Sequence, residues 1–131
     1  MSTLTREPLA EKFVSCTMQA NAGDFTEFKK LFHDDAVWIA GGDNAYSGRH
    51  VGVDACCKWF EDMVGLGMQA EPLDILEDDG HFVFFIRIRG ERGDKRLDQV
   101  HADAWTVRDG KFTGGYFLPA DQDVWDDFLR E

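Results

Sequence analysis

Apolar and polar positions along the chain switch from helical spacing to strand alternation, and the first helix is predicted near the N-terminus. It begins near Thr5 or Pro8, since proline is tolerated in a first helical turn. Its apolar face consists of Leu9, Phe13, Cys16 and Ala20, which recur at the spacing of one helix side. The Asn-Ala-Gly sequence at 21–23 ends this helix.

A second helix is predicted to begin at Asp24. Asp24 and Glu27 have the spacing of a capping box, in which each side chain bonds the other residue's backbone N–H. The polar residues 33–35 end the helix, and AVWIA at 36–40 is predicted to be a strand. The glycine-rich stretch 41–48 is predicted to be a loop. A third helix runs from about residue 53 to residue 64.

The second half of the chain follows the period-2 pattern of strands. In HFVFFIRIR, Phe82, Phe84, Ile86 and Ile88 alternate with residues that face the other side of the sheet. Strands are expected near 70–77, 82–89, 96–107 and 111–118. Residues 90–94 and Asp109-Gly110 are predicted hairpin turns, and a helical turn at 123–129 closes the chain.

Helices that cluster first and a mostly antiparallel sheet that follows indicate an α+β fold. We expect a curved sheet wrapped over three N-terminal helices, with a cone-shaped pocket between them. The chain of 131 residues is predicted to form a single domain over 1–131.

Composition and charge narrow the classes of partner. Hydrophobic residues make up 44% of the chain and the net charge is −11. So acidic a protein is expected to repel nucleic acid and anionic membranes, and no apolar run is long enough to span a bilayer. The N-terminus lacks the apolar core of a signal peptide. Three cysteines, Cys16, Cys56 and Cys57, make a poor disulfide framework, which favours the reducing cytoplasm.

The candidate chemistry lies in VHADAW at residues 100–105. His101, Asp103 and Trp105 project from one face of their strand, because side chains alternate. In an apolar pocket a carboxyl group favours its neutral form, and Asp103 next to His101 would form a coupled proton-transfer pair. The alternatives are that both side chains face solvent or a dimer interface, or form a purely structural pair.

Three segments and the C-terminal tail resemble the SnoaL-like and ketosteroid-isomerase-like members of the NTF2-like superfamily. They are NAGDFTEFKKLFHDDAVW (21–38), YSGRHVGVDA (46–55), VHADAWTVRDGKF (100–112) and the acidic, aromatic tail at 114–128. The resemblance implies a cone-shaped fold around a small-molecule pocket. The resemblance does not identify the reaction, because proteins of this fold include isomerases, cyclases, dehydratases, epoxide hydrolases and non-enzymatic binders.

Ketosteroid isomerase uses an Asp base with a Tyr and a protonated Asp as oxyanion donors. By the resemblance, the base position is Ala40, the Tyr position is at or near Cys16, and the protonated Asp matches Asp103. One of the three roles is retained, so steroid isomerisation by that route is not expected.

The predicted function is a cofactor-independent enzyme that moves protons in the isomerisation, cyclisation or elimination of an apolar, oxygenated small molecule. Asp103 and His101 are the catalytic candidates, and no metal site is expected. The substrate-binding candidates are Trp38, Tyr46, Phe60, Met63, Trp105 and Phe117. The alternative is a ligand-binding or scaffold module of the same fold without turnover. A homodimer is also expected, because the outward row that contains Phe85, Arg87 and Arg89 is partly apolar.

Overall fold

The computed structural model describes residues 8–130, and this part of the chain contains four helices and six strands. They are α1 (Pro8–Asn21), α2 (Thr26–Lys29), β1 (Phe32–Ala40), β2 (Gly48–Val51), α3 (Val53–Gly65), β3 (Gln69–Glu77), β4 (His81–Arg92), β5 (Lys95–Arg108), β6 (Lys111–Pro119) and α4 (Gln122–Leu129). The helix start proposed at Thr5 lies outside the described residues, whereas the alternative start at Pro8 agrees with α1.

The six strands form one sheet in the order β2-β1-β6-β5-β4-β3. Every neighbouring pair is antiparallel except β1 and β6, which run parallel. The helices and the inner face of this open, curved sheet share one hydrophobic core. The α+β cone with a mostly antiparallel sheet is therefore confirmed.

Strand alternation in β4 and β5 determines which face of the sheet is buried. Phe82, Phe84, Ile86 and Ile88 are buried, while the residues between them are half-buried or exposed. The turn between β5 and β6 consists of Asp109 and Gly110, whose φ angles are +54° and +75°. Positive φ at both central positions is the type I′ geometry of a two-residue hairpin, so this predicted turn is confirmed.

The second helix is shorter than the sequence predicted, and the prediction that residues 33–35 end it is wrong. It ends at Lys29, and β1 already begins at Phe32. Sheet pairing explains the difference: Phe32 lies opposite Phe112, and the Phe112 N–H donates to the Leu31 carbonyl at 2.8 Å.

The predicted capping box at the start of α2 is also absent. The Asp24 carboxylate accepts from the Thr26 N–H at 3.0 Å, but Phe25 is the N-cap residue and has no side-chain cap hydrogen bond. Glu27 instead pairs with Lys30 at 2.8 Å. In place of the capping box, a local turn at Asp24 leads into the helix.

Strand β2 begins at Gly48, the last residue of the predicted loop, and continues to Val51, where the sequence predicted no strand. Its four residues pair antiparallel with β1, Val51 opposite Val37 and Gly48 opposite Ala40. None of the four side chains is fully buried, so β2 lacks the alternating apolar signal of a strand.

A glycine in β6 allows two tryptophans to stack across the sheet. Gly115 lies between Trp38 of β1 and Trp105 of β5 in the strand register. The indole centroids are 4.4 Å apart with 22° between the ring planes. A Cβ at Gly115 would lie 2.8 Å from Trp105 Cε3 and 3.0 Å from Trp38 Cζ3. Close packing of the two rings therefore requires glycine at this position.

Helix α4 closes the open end of the cone, and the predicted helical turn at 123–129 is confirmed as a helix. The Asp121 carboxylate caps it by accepting from the Val124 N–H at 3.1 Å. At the other end, Arg92 donates to the Phe128 and Leu129 carbonyls at 3.1 and 2.9 Å. Both ends of α4 are therefore held by specific hydrogen bonds.

Candidate functional site

The inner face of β5 carries the two ionisable residues that the sequence singled out. His101 is 6% exposed and Asp103 is 1% exposed. Across the strands, Asp103 lies between Phe84 and Phe117. Both cross-strand neighbours of Asp103 are therefore aromatic.

His101 and Asp103 contact each other but do not form a well-aligned hydrogen bond. His101 Nε2 lies 3.3 Å from Asp103 Oδ1. Among the described residues, neither carboxyl oxygen of Asp103 nor His101 Nδ1 has a hydrogen-bond partner. Because buried polar groups are normally paired, these unpartnered atoms mark the position as a functional-site candidate.

Both side chains line a cavity of about 70 Å³ between the helices and the sheet. This is well below the ~300–1,000 Å³ of sites that hold drug-sized ligands. The wall is mostly apolar, and its polar residues are Thr17, Asn21, His101 and Asp103. Phe13 and Phe28 contribute aromatic rings from α1 and α2. Only a molecule of about one ring comes near this size, and it needs wall side chains to move, since the apolar cavity that binds benzene is about 150 Å³.

Five of the eight predicted site residues line this cavity. They are His101, Asp103, Phe60, Met63 and Phe117. The His101 ring packs on Phe117 with centroids 4.5 Å apart. The predicted catalytic pair and part of the predicted aromatic wall therefore lie together.

Trp38, Trp105 and Tyr46 are not part of the cavity wall. The two tryptophans form the buried stack over Gly115, and Trp38 contacts Phe60 with ring centroids 5.0 Å apart. They support the wall from behind. The Tyr46 carbonyl accepts a hydrogen bond from the Trp59 indole N–H at 3.1 Å, so Tyr46 holds a wall residue in place.

Several wall residues were not identified from the sequence, notably Thr17, Asn21, Trp59 and Trp125. Thr17 follows Phe13 by one helical turn on the predicted apolar face, a spacing that could have identified it. Trp125 reaches the cavity from α4, with its ring 4.5 Å from that of Phe117 and 6.3 Å from that of His101. Its approach depends on where α4 packs, which no local pattern in the sequence indicates.

A buried carboxylate next to Trp125 holds α4 against the loop between β1 and β2. Asp126 accepts from the Asp43 N–H at 3.0 Å, the Asn44 amide at 2.8 Å and the Gln122 amide at 2.9 Å. Burial raises the pKa of the Asp126 carboxyl, but these hydrogen bonds, with Arg130 nearby, outweigh it and leave the pKa below its usual range. Asp126 therefore fixes α4, and with it Trp125, over the cavity.

The cysteines are not activated nucleophiles. All three are buried and unbridged. Burial raises the pKa of Cys56 to about 11 and that of Cys57 to about 12, and it also raises the pKa of Cys16. The reactive thiolate is therefore scarce at neutral pH.

Within residues 8–130, no three His, Cys, Asp or Glu side chains come together as ligands for a metal ion. No helix in the same range combines the length and apolar character that a membrane crossing requires.

The fold is the NTF2-like cone, in which a curved sheet and helices surround a cavity. The chain belongs to the SnoaL-like domain family, whose model matches residues 11–114.

Solved structures show the same architecture over nearly the whole chain. Bal32a, from a soil-derived mobile gene cassette, is 29% identical with a TM-score of 0.86, and the match covers 93% of this chain and 96% of Bal32a. A provisionally assigned isomerase from Rhodopseudomonas palustris is 13% identical, with a TM-score of 0.76 and coverages of 95% and 98%.

A provisionally assigned polyketide cyclase from Sinorhizobium meliloti is 18% identical, with a TM-score of 0.66 and coverages of 86% and 95%. At these identities the isomerase and the cyclase show the fold alone. The chain matches no curated protein.

Proposed function

We propose that this protein is a cofactor-independent acid–base enzyme that isomerises or cyclises a small, apolar, oxygenated molecule, or eliminates a group from it. The observation that carries the proposal is the buried His101–Asp103 pair, whose atoms approach to 3.3 Å on the wall of a mostly apolar cavity. The SnoaL-like family and the provisional isomerase and cyclase assignments of two structural neighbours support the same reaction class.

In the proposed reaction the pair removes a proton from a carbon next to a carbonyl group and returns it at another carbon. His101 is the base that receives the proton, because a neutral imidazole has a ring nitrogen whose lone pair can accept it. Asp103, beside it, stabilises the imidazolium that forms. The proton is conserved within the substrate, so the isomerisation needs no oxidant, reductant or second substrate.

The alternative, a binding or scaffold module without turnover, makes a different prediction about the pair. A scaffold that presents these side chains to solvent would leave them exposed, whereas both are buried on the cavity wall. This placement favours a ligand pocket over a purely structural role. A rate measurement with a small substrate then distinguishes enzymatic turnover from binding without catalysis.

A one-ring β,γ-unsaturated ketone, cyclohex-3-enone, tests the proposal at the size of the cavity. We expect conversion to the conjugated enone, followed by ultraviolet absorbance, to exceed the solution rate. Asp103→Ala and His101→Gln should each lower the rate by roughly 10²-fold or more, the usual scale of general acid–base catalysis. Asp103→Asn should retain much of the rate if Asp103 only donates or accepts a hydrogen bond, and lose it if Asp103 transfers the proton.

The control is Asp79→Asn, which removes an exposed carboxylate away from the cavity. Melting temperatures of all variants separate loss of fold from loss of rate. Binding of the enone without turnover, or equal rates in wild type and Asp103→Ala, would contradict the catalytic proposal and favour the binding module. Native mass spectrometry of the purified protein would then identify the ligand that it retains.

We also propose that the protein is a homodimer that pairs through the outer face of its sheet. Phe85, Ala102 and Leu118 lie side by side across β4, β5 and β6. In the next row, Val83 and Ala104 lie beside Tyr116, which is 55% exposed. A second copy suits this surface because its central rows are uncharged, whereas most of the chain is strongly acidic.

Two further predictions from the sequence are retained. A cytoplasmic location is inferred from the three unpaired cysteines. Folding of residues 1–131 as one domain is inferred from the chain length.

A further inference from the structure

The carboxyl group of Asp103 is short of hydrogen-bond donors. It is 1% exposed, and neither oxygen has a hydrogen-bond partner among the described residues. His101 Nε2 contacts Oδ1 at 3.3 Å without the alignment of a hydrogen bond. A buried carboxyl group that lacks donors is costly, and a group that supplies them is bound preferentially.

The other polar groups of the wall do not supply the missing donors. The Thr17 hydroxyl donates to the Phe13 carbonyl at 2.8 Å. The Asn21 side-chain amide both donates to the Ala70 carbonyl, at 2.8 Å, and accepts from the Ala70 N–H, at 3.0 Å. Lysine and arginine are absent from the described residues that line the cavity. The buried polar atoms of the described wall that lack a partner are therefore the two Asp103 oxygens and His101 Nδ1, and the lining has no permanent positive charge.

The aromatic wall adds a preference for positive charge. Trp59, Phe60, Phe117 and Trp125 line the same cavity as Asp103. The faces of aromatic rings attract cations, and the net charge of −11 raises the local concentration of cations around the protein. A carboxylate or phosphate would meet no lysine or arginine in the described lining of this cavity, and the one histidine there, His101, already contacts the Asp103 carboxyl group at 3.3 Å.

We propose that the cavity selects small apolar molecules that present a hydrogen-bond-donating head group, a hydroxyl or a protonated amine, to Asp103. This inference rests on the proposed function because it assigns the substrate class of the same cavity. The carboxyl oxygens of Asp103 accept from the head group, and the apolar body lies against the aromatic wall. Molecules that carry only acceptors, such as the ketone cyclohex-3-enone, or a negative charge bind more weakly for a chemical reason and not because of their size.

Four one-ring compounds with the same seven-carbon skeleton test the proposal. Benzyl alcohol carries a neutral donor, benzylamine a charged donor, benzonitrile only an acceptor and benzoate an anion. Dissociation constants are measured by ¹H–¹⁵N NMR titration, and the indole signals of Trp59 and Trp125 report binding in the cavity. We expect at least one of the two donor compounds to bind about tenfold or more tightly than benzonitrile and benzoate. The ratio between the two donor compounds then shows whether the preferred head group is neutral or charged.

Asp103→Asn provides the matched variant, since it keeps the shape but replaces one acceptor oxygen with an N–H donor. This substitution should weaken binding of the preferred donor compound about tenfold and tighten binding of benzonitrile. Asp79→Asn should leave all four dissociation constants unchanged. If Asp103→Asn does not fold, the wild-type ranking alone decides.

Equal affinities across the wild-type series, tightest binding of benzoate, or no binding of any compound would overturn the proposal. The experiment measures no turnover. Donor-selective binding without enone isomerisation would therefore support this inference while the proposed enzymatic function failed, and turnover without donor selectivity would show the reverse.

Discussion

At the scale of single residues, Ala40 marks where this protein departs from the ketosteroid isomerases that it resembles. Ala40 lies opposite Phe117, and Phe117 lies opposite Asp103, so the three share one row across the sheet. A carboxylate at position 40 would therefore lie two strands from Asp103 on the same face. The chain has a buried methyl group there instead.

We expect no isomerisation of a β,γ-unsaturated ketosteroid above the solution rate. Position 40 has no carboxylate that could act as the base. In addition, a cavity of about 70 Å³ is too small for four fused rings. The measurement is the absorbance of the conjugated product, with cyclohex-3-enone as the size-matched comparison. Steroid turnover would show that another group supplies the base and that the cavity expands.

Asp126 is the residue whose ionisation should affect stability most directly. Its lowered pKa means that the folded state favours the carboxylate, so the stabilisation is fully present above the unfolded-state value of about 4. It is lost as the pH falls through the still lower folded-state pKa. Asp126→Asn should cost about 2–3 kcal/mol at neutral pH, since an amide cannot accept all three hydrogen bonds.

The difference in melting temperature between wild type and Asp126→Asn should therefore narrow as the pH falls below about 4. Asp127→Asn is the matched control, because its exposed side chain belongs to the same helix. If the difference in melting temperature stayed constant across the acidic range, Asp126 would act through its shape and not through its charge.

At the scale of elements, Gly115 should tolerate no side chain. An added Cβ would lie 2.7 Å from the Ala104 carbonyl oxygen and would press on both stacked indoles. We expect Gly115→Ala to destabilise the protein by about 1–3 kcal/mol, the usual cost of overpacking. Gly65→Ala is the control, since nothing lies within 4 Å of a Cβ there and φ is not positive. Urea denaturation compares the two, and equal midpoints would refute the packing argument.

Elements with strong periodicity could be predicted from the sequence, and those defined by pairing could not. The alternation in β4 and the Asp109-Gly110 turn are local signals, and both are confirmed. Strand β2 has no buried side chain and exists because β1 offers it hydrogen bonds. In the same way, Phe32 falls within the predicted second helix but lies in β1, because Phe112 pairs with it. Tertiary pairing overrode local preference at both places.

The candidate site shows the same contrast between features that a local pattern predicts and features that depend on tertiary packing. Strand alternation alone placed His101 and Asp103 on one face, and the fold brought a cavity to that face. Whether an aromatic side chain lines the cavity or supports it from behind depends on helix packing. Trp105 lies only two residues beyond Asp103, yet it belongs to the stack over Gly115. Spacing along a strand does not distinguish these two environments.

At the scale of the whole molecule, the outer sheet face should control the oligomeric state. We expect a mass near twice 14.9 kDa by light scattering at micromolar concentration. Leu118→Lys places a charge in the central apolar row and should shift the mass toward the monomer. Met18→Lys, an exposed apolar residue of α1 on another surface, should not. A wild-type mass near 14.9 kDa would rule out the dimer.

The parallel pairing of β1 with β6 also affects how the protein folds during synthesis. Strand β6, which is made after the other five strands of the sheet, lies in its middle, between β1 and β5. Until residues 111–119 leave the ribosome, the β1–β2 hairpin and the β3–β4–β5 meander are separate pieces, each with an unpaired strand edge. Long-range closure of this kind is slow, and open edges are prone to aggregation. The nascent chain is therefore most vulnerable to aggregation just before residues 111–119 emerge, when the cavity that would hold a ligand does not yet exist.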